Sequence, residues 1–463
     1  MLGVLLSAQA IVYAIVIGRY HGTGDSGDSV MHYLYAKYAF QHRELFFNHW
    51  AKPLFVLLAS PFAQFGFNGI KVFNACLMLL CTFFTYKTIE KIGIQNALIG
   101  VIILIFSPLT FVLTFSGLTE PLFATMLIIS IYQFVSNRIL IGCIMASFLP
   151  FVRSEGLIIL CVIVVFLFLR REAKRIPWLL VGSIIYSAAG AAVHQNLLWV
   201  FTEIPYAQLS STYNSLYTNE GRLFHFITQM NYVVGVPIYV LFWTGILSFV
   251  TQFKKSLFNY NLSILVFGAF AAFFVAHTLF WFFGIFNSMG LKRVLIGVAP
   301  LSAIMALVGF NRILELFGEA SLTRKFVKSA IVCILLLFPF TSNPAAMHPE
   351  KNLHLATDQK LSQEIAYLLR EQGKNERRLF FQHPYLSICL DVDWFDSSKR
   401  MNLTEGGLEE IRSGDIVIWD NWFAVVEGGS NAESFSKQTS FKHLGTFTAY
   451  DNREITFSVF EYQ

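Results

Sequence analysis

Ionisable residues are scarce in this chain, and the few that interrupt its apolar runs are the ones whose types and spacing could do chemistry. Asp25 and Asp28 stand among Gly and Ser in GTGDSGDSVMH (22–32), directly beyond the first apolar run. Carboxylates so placed can deprotonate a hydroxyl or ligate a divalent cation. They can equally form a solvated turn that caps a helix over 29–40, with Asp28 both cap and catalyst. Lys52 follows in His49-Trp50-Ala51-Lys52-Pro53, where a lysine either binds a phosphate as a point charge or snorkels beside a tryptophan anchor. Glu120, in SGLTEPLF (116–123), precedes a helix-opening Pro121, so the helix dipole alone could explain it. Arg153 and Glu155 interrupt the apolar FVRSEGL (151–157) and either pair with each other or serve a site, because ionisable groups at membrane depth are costly. Lys292 and Arg293, in NSMGLKRVL (287–295), precede another apolar run, and a bound anion would explain two cations there.

The elements that must position these residues are membrane spans. Of 463 residues, 55% are hydrophobic and 14% are charged, against roughly 25% charged in ordinary globular domains. The deficit fills the first 345 or so residues, while charges crowd the rest. With net charge +5 and basic residues in short clusters between apolar runs, the pattern reads as topology and gives no nucleic-acid signal. A bilayer core needs about 20 helical residues to cross it. Eleven candidate spans result: 2–19, 69–89, 95–114, 121–136, 139–152, 156–170, 177–198, 233–252, 259–283, 294–311 and 329–342. The pair 139–152 and 156–170 is short and suits a hairpin whose turn is buried in protein. The first span lacks a basic leader and a clear cleavage site, and reads as a retained signal anchor.

Lys87, Lys91, Arg138, Arg170, Arg171, Lys174, Arg175, Lys254, Lys255, Arg312, Arg324, Lys325 and Lys328 fall on one side, which is therefore cytoplasmic. The N-terminus is then inside and residues 345–463 outside. The chain divides into a transmembrane domain, 1–344, and an extracytoplasmic α/β domain, 345–463. The loop 20–68 carries two interfacial helices, over 30–47 and 53–66. In the tail, Thr357 caps a helix in which Leu361, Ile365, Leu368 and Leu369 share a face, ending near Gly373. RLFF (378–381) and DIVIWD (415–420) read as buried strands, and Tyr450 to Arg453 as the turn of a terminal hairpin. His194 and His277 read as packed helix residues, Asp391, Asp393 and Asp396 as a solvated loop. Asn402-Leu403-Thr404 is a sequon, and five of the six cysteines lie in apolar stretches, so no disulfide framework is expected. Acids and cations gathered at one outer face suit an anionic, membrane-borne substrate with a phosphate leaving group.

Taken in order, these motifs resemble the GT-C superfamily of polytopic glycosyltransferases, which take sugars from polyprenyl-phosphate carriers. The likeness is to the branch with protein O-mannosyltransferases and the aminoarabinose transferases of lipid A. The matching steps are the acidic Asp25 and Asp28, Lys52-Pro53, Thr119 to Phe123, Arg153 to Gly156, and Gly290 to Arg293. The resemblance covers about residues 1–310; the tail matches nothing in those two subfamilies. It departs where Ser29 follows Asp28 in place of the usual Glu, and where Lys52-Pro53-Leu54 replaces K-P-P.

The resemblance implies an inverting transfer with Asp28 as general base, assisted by Asp25. Lys52, Arg153, Arg293 and Lys292 would hold the donor phosphate. Glu120 and Glu155 would position the acceptor or a divalent cation, whose candidate ligands are Asp25, Asp28 and Glu120. It further implies a lipid, glycan or protein acceptor and a bacterial inner (plasma) membrane. The rivals are a transporter or flippase for a lipid-linked glycan, which predicts ionisable residues deep in several spans and an internal repeat, and a non-catalytic scaffold.

Overall fold

In the computed structural model, residues 1–205, 221–252, 259–286, 288–318 and 321–463 are described. Lys254, Lys255 and the first residue of the 287–295 motif therefore lie outside the described residues. All eleven apolar segments contain helix. Among the described residues, however, only five helices are long and apolar enough to cross a membrane: Leu2–Arg19, Gly66–Ile92, Ala173–His194, Tyr260–Phe283 and Lys292–Glu315. A sixth results if Ala97–Ile105 and Pro108–Thr114 count as one span, although they meet at a 64° bend. By length and composition alone, then, five or six of the eleven expected segments qualify as spans. Segment 95–114 breaks because Pro108 lacks the N–H that would continue the preceding helix. Glu120–Val135 has only 16 residues, about 24 Å of helix, and Ile139–Phe151 and Gly156–Leu169 are also short. Prolines set the openings: Pro53, Pro108, Pro121, Pro237 and Pro300 each occupy the first turn of a helix, where a missing N–H costs nothing.

The bundle has a defined centre. Of the apolar stretch in Lys292–Glu315, 83% is buried, against 11% in Leu2–Arg19. The central position matters because this helix begins with Lys292 and Arg293.

Both helices expected after the first span are present, as Asp28–Tyr38 and Pro53–Ala63. The first buries Val30, Tyr33, Leu34, Ala36 and Tyr38, so protein covers much of it. The second leaves Leu57 and Leu58 exposed on its far side.

The C-terminal region is a five-stranded mixed sheet in the order β2-β1-β3-β5-β4, with β1 Leu379–Phe380, β2 Arg400–Met401, β3 Ile416–Asp420, β4 Phe441–Asp451 and β5 Arg453–Tyr462. β1 runs parallel to β2 and β3, and β5 is antiparallel to β3 and β4. Every residue of β3 is buried because both faces are covered. Ile416 and Ile418 meet Leu361, Ile365 and Leu369 of the helix Thr357–Glu371, while Val417 and Trp419 meet Phe380, Phe435 and Phe460. Ala356, one residue before Thr357, is the N-cap position.

This region packs on the loop 20–68. Phe395 sets its ring edge against Tyr35, with centroids 4.8 Å apart. His42 pairs with Asp393 at 2.9 Å and Lys37 with Asp391 at 3.3 Å. The acidic loop expected to be solvated is therefore partly a docking contact.

Candidate functional site

The acidic turn is built around Asp25. Its Oδ1 accepts the N–H groups of Gly27 (2.9 Å) and Ser29 (3.0 Å), which otherwise would lack partners at a helix start. Asp28 is the first helical residue and makes no such cap. The capping task expected of Asp28 thus falls on Asp25. Ser29, buried beneath the turn, donates its hydroxyl to the Thr23 carbonyl and accepts the Gly117 N–H at 2.6 Å. Gly117 permits this approach, since a Cβ there would lie 2.2 Å from the Ser29 carbonyl oxygen. Asn74 holds the same 116–118 backbone through the Ser116 and Leu118 carbonyls, at 2.7 and 3.1 Å. So the first loop and the approach to Glu120 are locked together, and a serine after Asp28 has a structural task.

Arg293 reaches into this turn. One guanidinium nitrogen pairs with Asp28 Oδ2, another with Asp25 Oδ2, and Nε lies 3.7 Å from Glu120 Oε1. Gly290 sets its approach with φ +62, a left-handed turn over the Trp281 ring that a Cβ would strike. Lys292 is exposed and lies over the Tyr232 ring at 5.1 Å, so the two neighbouring cations part company. The structure brings Arg293 to the carboxylates and leaves Lys292 outside.

Glu120 also takes Arg153 at 2.8 Å, and Arg153 takes Glu155 at 2.8 Å. Glu155 in turn lies 3.7 Å from His277 Nε2. The result is an alternating line from Asp28 through Arg293, Glu120, Arg153 and Glu155 to His277, drawn from separate segments. Each charge has an opposite neighbour, which is the condition for burying them. Side-chain accessibility falls from 46% at Asp28 to 19% at Arg293 and 1% at Glu120, then is 14% at Arg153 and 18% at Glu155. Asp28 is the reachable end, and Glu120 is sealed beneath both guanidinia.

Lys52 adjoins this line. It adopts φ 67 immediately before Pro53, a conformation costing on the order of 1–3 kcal/mol for a non-glycine residue. Burial pushes its ammonium down to about 8, with Glu155, Asp28 and Glu120 among the charges acting on it. Burial pushes the Asp25 carboxyl up. At Asp28 burial acts the same way, but the Arg293 charge and hydrogen bond, with the Arg153 charge behind them, outweigh it and hold the carboxyl below its ordinary value. His32 is stacked on Trp50 and pushed down to about 3 by burial, so it is neutral.

Among the described residues no group of three or more His, Cys, Asp or Glu could hold a metal ion. Arg293 stands between Asp25, Asp28 and Glu120, which were the candidate ligands, and supplies the positive charge they share. A divalent cation does not fit this arrangement.

Two residues of the site escaped sequence reasoning. His277 was read as a packed helix histidine, and its only signal was being ionisable in an apolar run. His32 lies one helical turn after Asp28, within the acidic motif. His194 is packed, as expected: it stacks on Trp199 and pairs with Glu203 at 2.6 Å.

No protein-family model matches the chain, and no curated protein matches its sequence. The fold has a counterpart in the crystal structure of ArnT from Cupriavidus metallidurans in the apo state, with TM-score 0.64 and 11% identity. The match covers 98% of this chain and 97% of that one. ArnT is a lipid A aminoarabinose transferase of the GT-C fold, so the fold that the motifs suggested is present. The coverage also takes in the C-terminal region, which by sequence resembled nothing in that branch.

Proposed function

We propose that this chain is a membrane glycosyltransferase that moves a sugar from a polyprenyl-phosphate donor to an acceptor hydroxyl on the extracytoplasmic face. The observation that carries the reading is the alternating line of carboxylates and guanidinia, open at Asp28. It lies where Leu2–Arg19 and Tyr260–Phe283 end and where Glu120–Val135, Gly156–Leu169 and Lys292–Glu315 begin, so the described ionisable cluster sits at one end of the bundle. That placement suits chemistry at a membrane surface better than a transport path through several spans.

Asp28 is the general base. Among the described residues its Oδ1 has no hydrogen-bond partner, while Asp25 spends its oxygens on the turn and on Arg293. Asp28 takes the acceptor hydroxyl proton, the acceptor oxygen bonds to the anomeric carbon with inversion, and the carbon–oxygen bond to phosphate breaks. The polyprenyl phosphate leaves with the electron pair. Arg293, Arg153 and Lys52 stabilise the charge that develops on it. A phosphate that engages Arg293 competes with Asp28 for the guanidinium, so donor binding raises the basicity of Asp28 when it is needed. Glu120, out of reach of a substrate, acts by orienting both guanidinia.

The test incubates the purified protein, in lipid nanodiscs, with a panel of polyprenyl-phosphate-linked pentoses and hexoses and scores released polyprenyl phosphate. Release by the wild type, lost in Asp28→Asn with donor binding retained, is the expected result. Near-normal release by Asp28→Asn would sink the base assignment.

A further inference from the structure

The acidic turn is also held from a side that none of the motifs marks. Gln359, in the first turn of Thr357–Glu371, is 1% exposed. Its Oε1 accepts the Ala356 N–H at 3.2 Å, a role only the oxygen can fill, so the amide nitrogen faces away from its own helix. That nitrogen donates to Thr23 Oγ1 at 2.5 Å and to Ser26 Oγ at 3.0 Å. Thr23 Oγ1 then donates to the Asp25 carbonyl at 2.6 Å. The amide is fully satisfied, and both its donors end on the turn between Thr23 and Asp28. Phe423 supports the same turn, since a Cβ on Gly27 would lie 3.4 Å from its ring. Asp420 fixes Phe423 in place by accepting the N–H groups of Trp422, Phe423 and Ala424. Gly22 completes the contact, donating its N–H to the Leu353 carbonyl at 2.8 Å.

The turn is therefore clamped between two supports. Arg293 and Gly117 hold it from the helical bundle, and Gln359 holds it from the C-terminal region. The amide oxygen makes the back-reaching bond of a capping box at the start of Thr357–Glu371, but the two donors serve no partner in that helix and both end on the turn.

We propose that Gln359 is a positioning residue for the transfer reaction, fixing the Asp25–Asp28 turn at the distance from Arg293 and the acceptor that Asp28 requires. The C-terminal region is then a part of the active site and not an appended binding module. This rests on Asp28 being the base. A carboxylate misplaced by 1 Å loses about 100-fold in rate, so two hydrogen bonds at its turn have leverage far beyond their own strength.

The experiment uses the full-length protein in nanodiscs and the polyprenyl-phosphate sugar that supports lipid-phosphate release. Gln359→Leu, Ser26→Ala and Asp28→Asn are compared with wild type for kcat, donor KM and unfolding temperature. Gln359→Leu should lower kcat about tenfold or more with donor KM changed less than about twofold, because donor contacts are untouched and base placement is not. Ser26→Ala, which loses one of the two bonds, should fall between it and wild type. An unchanged kcat in Gln359→Leu, with Asp28→Asn inactive, overturns the positioning role alone. Activity in Asp28→Asn overturns the underlying base assignment as well. Should Gln359→Leu fail to fold, Ser26→Ala decides, and a wild-type kcat there overturns the proposal. A fall in kcat that comes with an equal loss of donor affinity and a lower unfolding temperature marks a merely structural residue and overturns it too.

Discussion

Arg293 and Asp28 are 265 positions apart in the chain and form an ion pair at the accessible end of the charged line. The pair sets the protonation state of the proposed base. Asp28 is also faced by Asp25, His32, Lys52, Arg153 and Glu427, and the cations prevail, keeping it ionised below the ordinary carboxylate range. Arg293→Met removes the largest of those attractions. The acid limb of the pH–rate profile should then rise, past the ordinary aspartate value of about 4. Arg293→Lys should move it less, because an ammonium keeps the charge and loses the forked geometry. Sign follows from linkage: a depressed carboxylate lends stability above its unfolded pKa and loses it as pH falls through the folded one. Arg293→Met should therefore flatten the acid side of the unfolding curve as well. A profile unmoved in both variants would mean that Asp28 does not limit the rate.

Asp25 and Asp28 should separate under conservative replacement. Asn at position 25 still offers an Oδ1 to the Gly27 and Ser29 N–H groups, so Asp25→Asn should keep transfer within about tenfold of wild type. Asp25→Ala loses the cap and should cost about 1 kcal/mol of stability besides. Asp28→Asn should cost about 100-fold or more, since an amide cannot take a proton. Equal losses at both positions in a transfer assay would contradict this division.

Glu120 is the counter-charge shared by Arg153 and Arg293. Glu120→Gln leaves two guanidinia short of a buried partner, and breaking such a pair costs about 3–5 kcal/mol. A clear drop in unfolding temperature should accompany loss of transfer, with Glu120→Asp milder in both. Full stability of Glu120→Gln would show that the buried line is not held through this carboxylate.

How much of this was legible depended on the residue type. In an apolar chain, ionisable residues are few enough to be found one by one, so Asp25, Asp28, Lys52, Glu120, Arg153, Glu155 and Arg293 were all visible. Apart from Arg153 with Glu155, two residues away, their pairing was not, because the partners arrive from different segments. Lys292 and Arg293 are indistinguishable by sequence, yet one step of about 120° in the 3-10 turn Lys292–Val298 sends one to Tyr232 and the other to Asp28. Gln359 had no signal at all, since an amide on an amphipathic helix reads as a solvated face. The break at Pro108 could be read from proline chemistry. The shortness of 139–152 and 156–170 was legible from apolar length, and the helices there are Ile139–Phe151 and Gly156–Leu169.

Lys52 offers a test in which two observables move in opposite directions. Burial holds its folded-state pKa at about 8, below the ordinary lysine value of 10.5. Between those values the unfolded chain binds the proton and the folded protein does not, so stability rises with pH across that window. The charge that would hold a phosphate is lost across the same window. Donor KM should therefore climb as pH passes about 8, while the unfolding temperature holds or increases. Lys52→Met removes both effects: its donor KM should be high at every pH, and the alkaline gain in stability should vanish. A wild-type donor KM that stays flat from pH 7 to about pH 10 would remove Lys52 from the phosphate site, whatever the stability curve does.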